Sequence, residues 1–262
     1  MCEGVLCLYR DQRPIAQRPR YDHDHDHDIH RPPMEDIYNI AGPGLAALKS
    51  LTDSQISFLQ SLPKAELHAH LNGCIPLSCL QELALEHDFA DSANSSSPSS
   101  TTTSTSNNTI AESLRKLRDG VELREIADFF SLFPAIYELT STPAAIAKAT
   151  RAVLVSFLEG THPQCTYIEL RSTPRATSHM SRREYLESVL SEVEKYPADK
   201  AAFIVSIDRR MSLLDVEECV ELAIELRKLG RRIVGIDLCG DPLVCASPLG
   251  ASTLTLKQIC ES

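Results

Sequence analysis

The chain has 262 residues, enough for one large domain or two small ones, and 36 Asp and Glu residues outweigh 26 Lys and Arg residues to give a formal net charge of −10. An acidic chain without a basic stripe is not expected to bind nucleic acid or an anionic membrane surface. A small anionic ligand stays compatible with this charge, because a few local arginines are enough to bind it.

Nine cysteines are scattered through apolar segments without a C-x-x-C pair, which predicts reduced, mostly buried thiols rather than a disulfide framework. The N-terminus lacks the basic and then apolar organisation of a secretory signal, and no apolar run approaches the length of a membrane span. These features predict a soluble cytoplasmic protein that does not associate with membranes.

Residues 1–50 are weakly patterned and rich in Pro, Arg, Asp and His, and we expect a disordered tail. Within this range Asp22 to Asp28 read DHDHDHD, which is compatible with loose binding of a divalent metal or with a merely solvated low-complexity tract. A tail without a supporting core cannot fix coordination geometry, so a metal bound there would not be catalytic.

Regular structure is expected from about Leu51. Thr52 or Asp53 can cap a short helix that ends before Pro63, and a strand over 65–70 and a helix over 77–87 follow. Residues 91–109 are mostly Ser, Thr and Asn and predict a flexible surface insertion.

Helical patterning resumes over 114–139, where aromatic and apolar side chains form one face that we expect in the core: Phe129, Phe130, Phe133, Ile136 and Tyr137. Capping signals at Thr142, Ser181 and Ser212 then begin three further helices. Gly160 and Gly230 are expected to end the first and the third of these helices.

Strands are predicted between these helices, over 166–171, 202–208 and 233–238. Apolar strands that alternate with capped helices indicate a parallel sheet buried on both faces. The expected fold is therefore α/β, with about four βα units arranged as part of a (β/α)8 barrel.

Polar residues follow the carboxyl end of each predicted strand, where α/β barrels gather their functional groups. The first strand ends in His68-x-His70, and residues two apart on a strand share a face, so both imidazoles can bind one zinc ion. Each polar residue also has an ordinary explanation: the histidines without metal, Arg171 in a surface ion pair, Asp208 as a helix cap and Gly240 in a turn.

The motifs ELHAHLNG, TSTPAAI, YIELRSTPR, SIDRR and VGIDLCGDP, in this order, resemble the adenosine deaminase superfamily, in particular its adenosine deaminase-like branch of N6-methyl-AMP deaminases. The resemblance covers about residues 55–242. It implies a zinc-dependent hydrolytic deaminase of 6-aminopurine nucleotides or nucleosides, monomeric in the intact family, that binds one Zn²⁺ ion. An ordinary adenosine deaminase is expected to have Asp in place of Asn72 and to lack the RSTP run.

The resemblance also implies residue roles. His68 and His70 match the first two zinc ligands. The positions that match substrate-contacting residues are His70, Asn72, Tyr137, Arg171, Ser172, Thr173, Pro174, Asp208 and Gly240. Among them the guanidinium and the two hydroxyls of the RST run are suitable partners for a 5′-phosphate. Tyr137 departs from the branch, which typically has histidine at that position.

The family also requires a third zinc-binding histidine and a nearby acid/base glutamate on a fifth strand, and neither is found, since the last histidine is His179. Residues 243–262 form an atypical tail instead, and we expect a truncated barrel with an incomplete zinc site and no turnover of its own. Two alternatives stay open: a non-catalytic chain that binds nucleotide or a partner, and another H-x-H metal hydrolase such as a PHP-type phosphoesterase.

Overall fold

The computed structural model describes residues 42–94, 112–113, 115–116, 130–161 and 163–240. Its strands are β1 (Ala65–His70), β2 (Tyr167–Ser172), β3 (Ala201–Asp208) and β4 (Ile233–Cys239). Its helices are α1 (Gly42–Lys49), α2 (Asp53–Ser61), α3 (Leu71–Cys74), α4 (Leu77–Asn94), α5 (Phe133–Leu139), α6 (Pro143–Leu158), α7 (Arg182–Val193) and α8 (Leu213–Lys228). Within these ranges no helix combines the length and apolarity needed to cross a bilayer.

The four strands form one parallel sheet in the order β1-β2-β3-β4. Because parallel crossovers are right-handed, a sheet whose strand order follows the chain carries its helices on one face. This is the arrangement of consecutive units in a (β/α)8 barrel, and it confirms the predicted α/β class. The two edge strands, β1 and β4, are more exposed than β3, which is buried along nearly its whole length.

The capping signals operate as the sequence predicts. The Thr52 side chain accepts a hydrogen bond from the backbone N–H of Gln55 at 3.3 Å, and Ser181 and Glu184 form a reciprocal capping box before α7. Thr142 caps α6 and Ser212 caps α8 in the same way. These bonds satisfy N–H groups that the helix itself leaves unpaired, which fixes where each helix begins.

Two predicted boundaries differ from the structure. Helix α1 lies within the range 1–50 that was expected to lack regular structure, because its LAAL run has high helix propensity. Helix α4 continues to Asn94, four residues into the predicted insertion 91–109. Residues 1–41, 95–111, 117–129 and 241–262 lie outside the described residues, and so do the predicted metal tract, most of the insertion and Phe129.

The face of the sheet that meets the helices is apolar. Ile168 and Leu170 of β2 and Phe203 and Val205 of β3 are fully buried in one core with α6, α7 and α8. Burial of each such side chain contributes roughly 1.5–3 kcal/mol. Phe130 was expected in this core but is 51% exposed, because it precedes α5 instead of lying on its inner face.

The described cysteines behave as predicted. Cys74, Cys79, Cys165 and Cys219 are free and buried, and Cys239 is free and half-buried. Burial raises the pKa of the Cys79 and Cys219 thiols to about 11, which keeps them protonated and unreactive at neutral pH.

Helices α6 and α7 are joined by a charge cluster on Glu192, whose side chain is 7% exposed. Arg151 donates two hydrogen bonds of 2.9 Å to its carboxylate, and Lys195 donates two of 2.7–2.8 Å. Burial by itself raises the pKa of Glu192, but the bonds from Arg151 and Lys195 outweigh it and the pKa is lowered.

We therefore expect Glu192→Gln to reduce the free energy of unfolding by about 1–2 kcal/mol at pH 7. A lowered folded-state pKa stabilises the fold above the pKa of the unfolded chain, about 4.3, and this contribution disappears as the pH falls through the folded-state value. Urea titrations at neutral pH and at a pH below the folded-state pKa of Glu192 should therefore show the two proteins converging in acid. Glu217→Gln, at an exposed position of α8, is the control; a pH-independent difference would contradict the assignment.

Candidate functional site

The two histidines of β1 lie side by side at its carboxyl end. A bulge between Glu66 and Ala69 adds one residue to the strand, and Glu66 Oε1 accepts a hydrogen bond from the backbone N–H of His68 at 2.8 Å. The Nε2 atoms of His68 and His70 are 3.2 Å apart. In a tetrahedral zinc site with Zn–N bonds of about 2.0–2.1 Å, two ligand nitrogens are separated by roughly 3.3 Å. The pair therefore fits two positions of a zinc site.

Burial is the main cause that lowers the pKa of His70, and the neighbouring His68 lowers it further. A lowered pKa favours the neutral imidazole, which is the form that binds metal. No group of three potential metal-ligating side chains is found among the residues that the structure describes.

Asn72 and Ser172 contact each other where β1 and β2 end. Asn72 lies in α3, buried, and its Nδ2 donates to Ser172 Oγ at 3.3 Å. Ser172 Oγ also shares a 2.6 Å hydrogen bond with the hydroxyl of Tyr185, which anchors it to α7. Asn72 Oδ1 is buried and has no hydrogen-bond partner among the described residues, so this oxygen is available to a ligand that carries a donor.

A second group of predicted residues meets where β3 and β4 end. The Asp208 carboxylate accepts hydrogen bonds from the backbone N–H, Nε and Nη2 of Arg210, at 2.7–2.9 Å. These bonds are the main cause that lowers the pKa of Asp208. Thr173 Oγ1 lies 3.6 Å from Cys239 Sγ, which brings the end of β2 to the end of β4. Gly240 follows directly, with a backbone φ of +95°.

Tyr137 is held in place by Arg175, the residue that follows the buried Pro174. The guanidinium of Arg175 stacks 4.3 Å from the centre of the Tyr137 ring, and it donates to the Tyr137 carbonyl at 3.1 Å and to Thr140 Oγ1 at 2.8 Å. Burial raises the pKa of Tyr137, so the phenol stays protonated and can donate a hydrogen bond.

Arg171 is placed differently from the other predicted residues. It lies inside β2 with its side chain on the face away from the helices, where it forms an ion pair with Asp237 of β4 and donates to the Leu67 carbonyl of β1. Its guanidinium is buried, with Nη1 and Nη2 bound to Asp237 and Leu67 and with Nε lacking a hydrogen-bond partner among the described residues. The ion pair of Arg171 is therefore part of a buried bridge across the sheet from β1 to β4 instead of a surface pair, and its contact with a phosphate stays a prediction.

Sequence reasoning did not single out Asp237, Arg175 or Tyr185. Asp237 is the lone carboxylate of the apolar strand IVGIDLC, two residues before the strand ends. A single charge in an apolar strand could have been recognised from the sequence as a candidate site residue. The stacking of Arg175 on Tyr137 depends on residues 38 positions apart and had no local signal.

Gly240 offers a direct test of the packing at the ends of β3 and β4. A Cβ atom there would lie 2.9 Å from Asp208 Oδ1 and 3.2 Å from the Arg209 nitrogen. Gly160 has nearly the same φ, +96°, but a Cβ atom added to it would meet nothing within 4 Å. Both alanine variants strain the backbone, so we expect Gly240→Ala to cost about 1 kcal/mol more than Gly160→Ala in chemical denaturation. Equal costs would contradict the close approach of Gly240 to Asp208.

No protein-family model matches the chain. The chain is 34% identical over 190 residues to the adenosine deaminase-like protein of Drosophila pseudoobscura pseudoobscura, a match that covers 71% of this chain and 51% of that protein. It is 32% identical over 223 residues to the N6-mAMP deaminase of Arabidopsis thaliana, covering 72% and 55%. The chain thus spans about half the length of the curated relatives it matches.

Solved structures show the same relationship. The structure of Arabidopsis ADAL complexed with IMP matches with a TM-score of 0.57 and 29% identity, covering 78% of this chain and 57% of that one. An amidohydrolase from Burkholderia ambifaria with bound Zn matches in fold, with a TM-score of 0.51 and 17% identity over 74% of this chain and 49% of that one. Motifs, strand order and relatives agree, and the chain belongs to the adenosine deaminase-like family, matching about half the length of its members.

Proposed function

We propose that this chain provides the first half of a zinc-dependent hydrolytic deaminase site for 6-aminopurine nucleotides, such as N6-methyl-AMP. The observation that carries the proposal is the His68–His70 pair, whose nitrogens have the separation of two zinc ligands. The names of the relatives, adenosine deaminase-like protein and N6-mAMP deaminase, support the reaction class.

The residues around the histidines suit a nucleotide. Asn72 presents a buried, unpartnered amide oxygen that can accept a hydrogen bond from a ligand hydroxyl or amino group. Thr173 presents a hydroxyl at the end of β2, 3.6 Å from Cys239 Sγ. The relative complexed with IMP supports a purine nucleotide as the ligand.

Arg171 and Arg175 position this site in the proposal. Arg171 bridges β1 to β4 beneath the histidines, and Arg175 fixes the Tyr137 ring. Zinc bound in such a site supplies the Lewis acidity for hydrolysis. Since no group of three potential metal ligands is found among the described residues, we expect the 262-residue chain to bind nucleotide without turning it over.

The test is calorimetric titration of the full chain with N6-methyl-AMP and with IMP in the presence of zinc, alongside an assay for released methylamine. We expect nucleotide binding without methylamine release. Asn72→Ala should weaken binding about tenfold, the equivalent of about 1.4 kcal/mol, because the ligand loses one buried hydrogen bond. Ser188→Ala, on the outer side of α7, is the control and should bind as the parent does.

Absence of nucleotide binding at millimolar concentrations would overturn the proposal. Methylamine release would contradict the expected lack of turnover. A non-catalytic chain that merely binds nucleotide would also show binding without turnover. Nucleotide binding that requires zinc would favour the deaminase site over this alternative. Release of phosphate from a simple phosphoester would support a PHP-type hydrolase instead, which the relatives do not favour.

A further inference from the structure

A buried tyrosine lies between two groups of residues at the ends of the strands. Tyr185 is fully buried in the first turn of α7, and its hydroxyl and its ring each contact a different group. The capping box of Ser181 and Glu184 fixes where α7 begins, and the backbone N–H of Tyr185 donates to the Ser181 carbonyl at 3.0 Å. The tyrosine is therefore held on a well-anchored part of the helix.

The hydroxyl of Tyr185 begins a chain of hydrogen bonds that ends at Asn72. It shares a 2.6 Å hydrogen bond with Ser172 Oγ, and Asn72 Nδ2 donates to the same oxygen at 3.3 Å. All three side chains are buried, and a hydrogen bond shielded from water is costly to break, so this chain restricts rotation of the Asn72 amide. Because Nδ2 is bound to Ser172, the amide atom that faces a ligand is Oδ1.

The ring of Tyr185 contacts the second group. The Arg175 guanidinium lies 4.3 Å from the centre of the Tyr137 ring and 5.7 Å from the centre of the Tyr185 ring. The contact with Arg175 depends on the aromatic ring, whereas the contact with Ser172 depends on the hydroxyl. Phenylalanine at position 185 therefore separates the two contacts, because it removes the bond to Ser172 and keeps a ring beside Arg175.

We propose that Tyr185 is a positioning residue of the nucleotide site, whose hydroxyl acts through Ser172 to hold the amide oxygen of Asn72 toward the ligand. The inference rests on the proposed function for the identity of the ligand, but the hydrogen bonds that carry it join residues of α3, β2 and α7 directly. Without the Tyr185 hydroxyl, the Ser172 hydroxyl can rotate, and the amide of Asn72 loses its fixed direction.

A purely structural role for the Tyr185 hydroxyl makes a different prediction. Both roles lower the folding stability of Tyr185→Phe, so stability does not distinguish them. Only a positioning role makes the loss of nucleotide affinity depend on the presence of Asn72, and a double-mutant cycle measures that dependence.

The test is calorimetric titration of the full chain with IMP in the presence of zinc. We expect Tyr185→Phe to weaken IMP binding about threefold to fivefold, a part of the loss expected for Asn72→Ala. In the Asn72→Ala background the same replacement should have no further effect, and in a Tyr137→Phe background its effect should persist in full. Tyr196→Phe is the matched control, because it removes a phenol hydroxyl with a 2.6 Å bond to Glu159 but lies beyond the opposite end of α7.

A second measurement needs no nucleotide. In heteronuclear NMR spectra, the side-chain amide signal of Asn72 is identified by its loss in Asn72→Ala. We expect this signal to shift and to exchange faster with solvent in Tyr185→Phe, and to be unchanged in Tyr196→Phe. Ser172→Ala interrupts the same chain of hydrogen bonds at its centre and should reproduce each result, so a poorly folded Tyr185→Phe does not stop the test.

Equal IMP affinity of Tyr185→Phe and the parent would overturn the inference and leave the proposed function in place. A loss of the same size in the parent and Asn72→Ala backgrounds, or an unchanged Asn72 amide signal, would overturn it as well. A parent chain that binds no IMP would refute the proposed function, and the amide signal would then decide whether Tyr185 holds Asn72.

Discussion

Arg171→Met is expected to reduce the free energy of unfolding by about 2–3 kcal/mol, the largest effect on stability of any substitution considered. The Arg171 side chain is 10% exposed, and it joins β2 to Asp237 of β4 and to the Leu67 carbonyl of β1. Methionine fills a similar volume but leaves the Asp237 carboxylate, whose side chain is 24% exposed, without its counter-charge. Urea unfolding followed by circular dichroism measures the loss.

The matched control is Arg182→Met. Arg182 is nearly as buried as Arg171, at 15% side-chain exposure, but its partners Asp215 and Glu218 are 40% and 49% exposed. Water can solvate those carboxylates when the arginine is removed, so we expect a cost of about 1 kcal/mol. Equal costs for the two arginines would contradict the view that the penalty comes from the less exposed carboxylate of Asp237.

A double variant tests whether the unpaired Asp237 carboxylate causes the loss of stability in Arg171→Met. Arg171→Met combined with Asp237→Leu removes both charges, and replacement of a buried ion pair by apolar side chains is often neutral. We therefore expect the double variant to recover most of the stability lost in Arg171→Met. A loss in the double variant as large as in the single one would show that the bond to the Leu67 carbonyl, not the ion pair, dominates.

His70→Ala is expected to weaken zinc binding about 100-fold, which corresponds to about 2.7 kcal/mol. The remaining His68 imidazole has no second nitrogen at the 3.2 Å separation that one zinc ion requires. Competition against a chromophoric chelator measures the affinity.

His179→Ala is the control for zinc, because His179 is exposed in the loop before α7 and far in sequence from the β1 histidines. We expect its zinc affinity to equal that of the parent chain. If His70→Ala bound zinc as tightly as the parent, the ion would be held elsewhere, and the Asp22–Asp28 tract would become the first place to look.

Much of the secondary structure could be predicted from local signals. Thr52, Thr142, Ser181 and Ser212 each cap a helix at the expected residue, because a capping hydrogen bond spans only three positions and is visible in the sequence. Helix α1 was not predicted, because it has only eight residues and directly follows a long polar stretch without helical periodicity.

The candidate site was only partly predictable. The sequence placed His68, Asn72, Thr173, Asp208 and Gly240 at strand ends, and parallel strands in consecutive order bring such ends to one edge of the sheet. It did not indicate that Arg210 would bind the Asp208 carboxylate through its own backbone and side chain, or that Arg175 would stack on Tyr137. Those contacts depend on rotamers and loop paths that no pattern encodes.

The sequence by itself determined the alternation of strands and helices and the polar residues at the strand ends, because these follow from periodicity and helix caps. Only the tertiary structure decided the role of Arg171. Its position near a strand end suggested contact with a ligand, but the β1–β2 and β3–β4 registers place Leu67 and Asp237 within its reach. A buried guanidinium binds the nearest acceptors available, and those were 104 and 66 residues away in the chain.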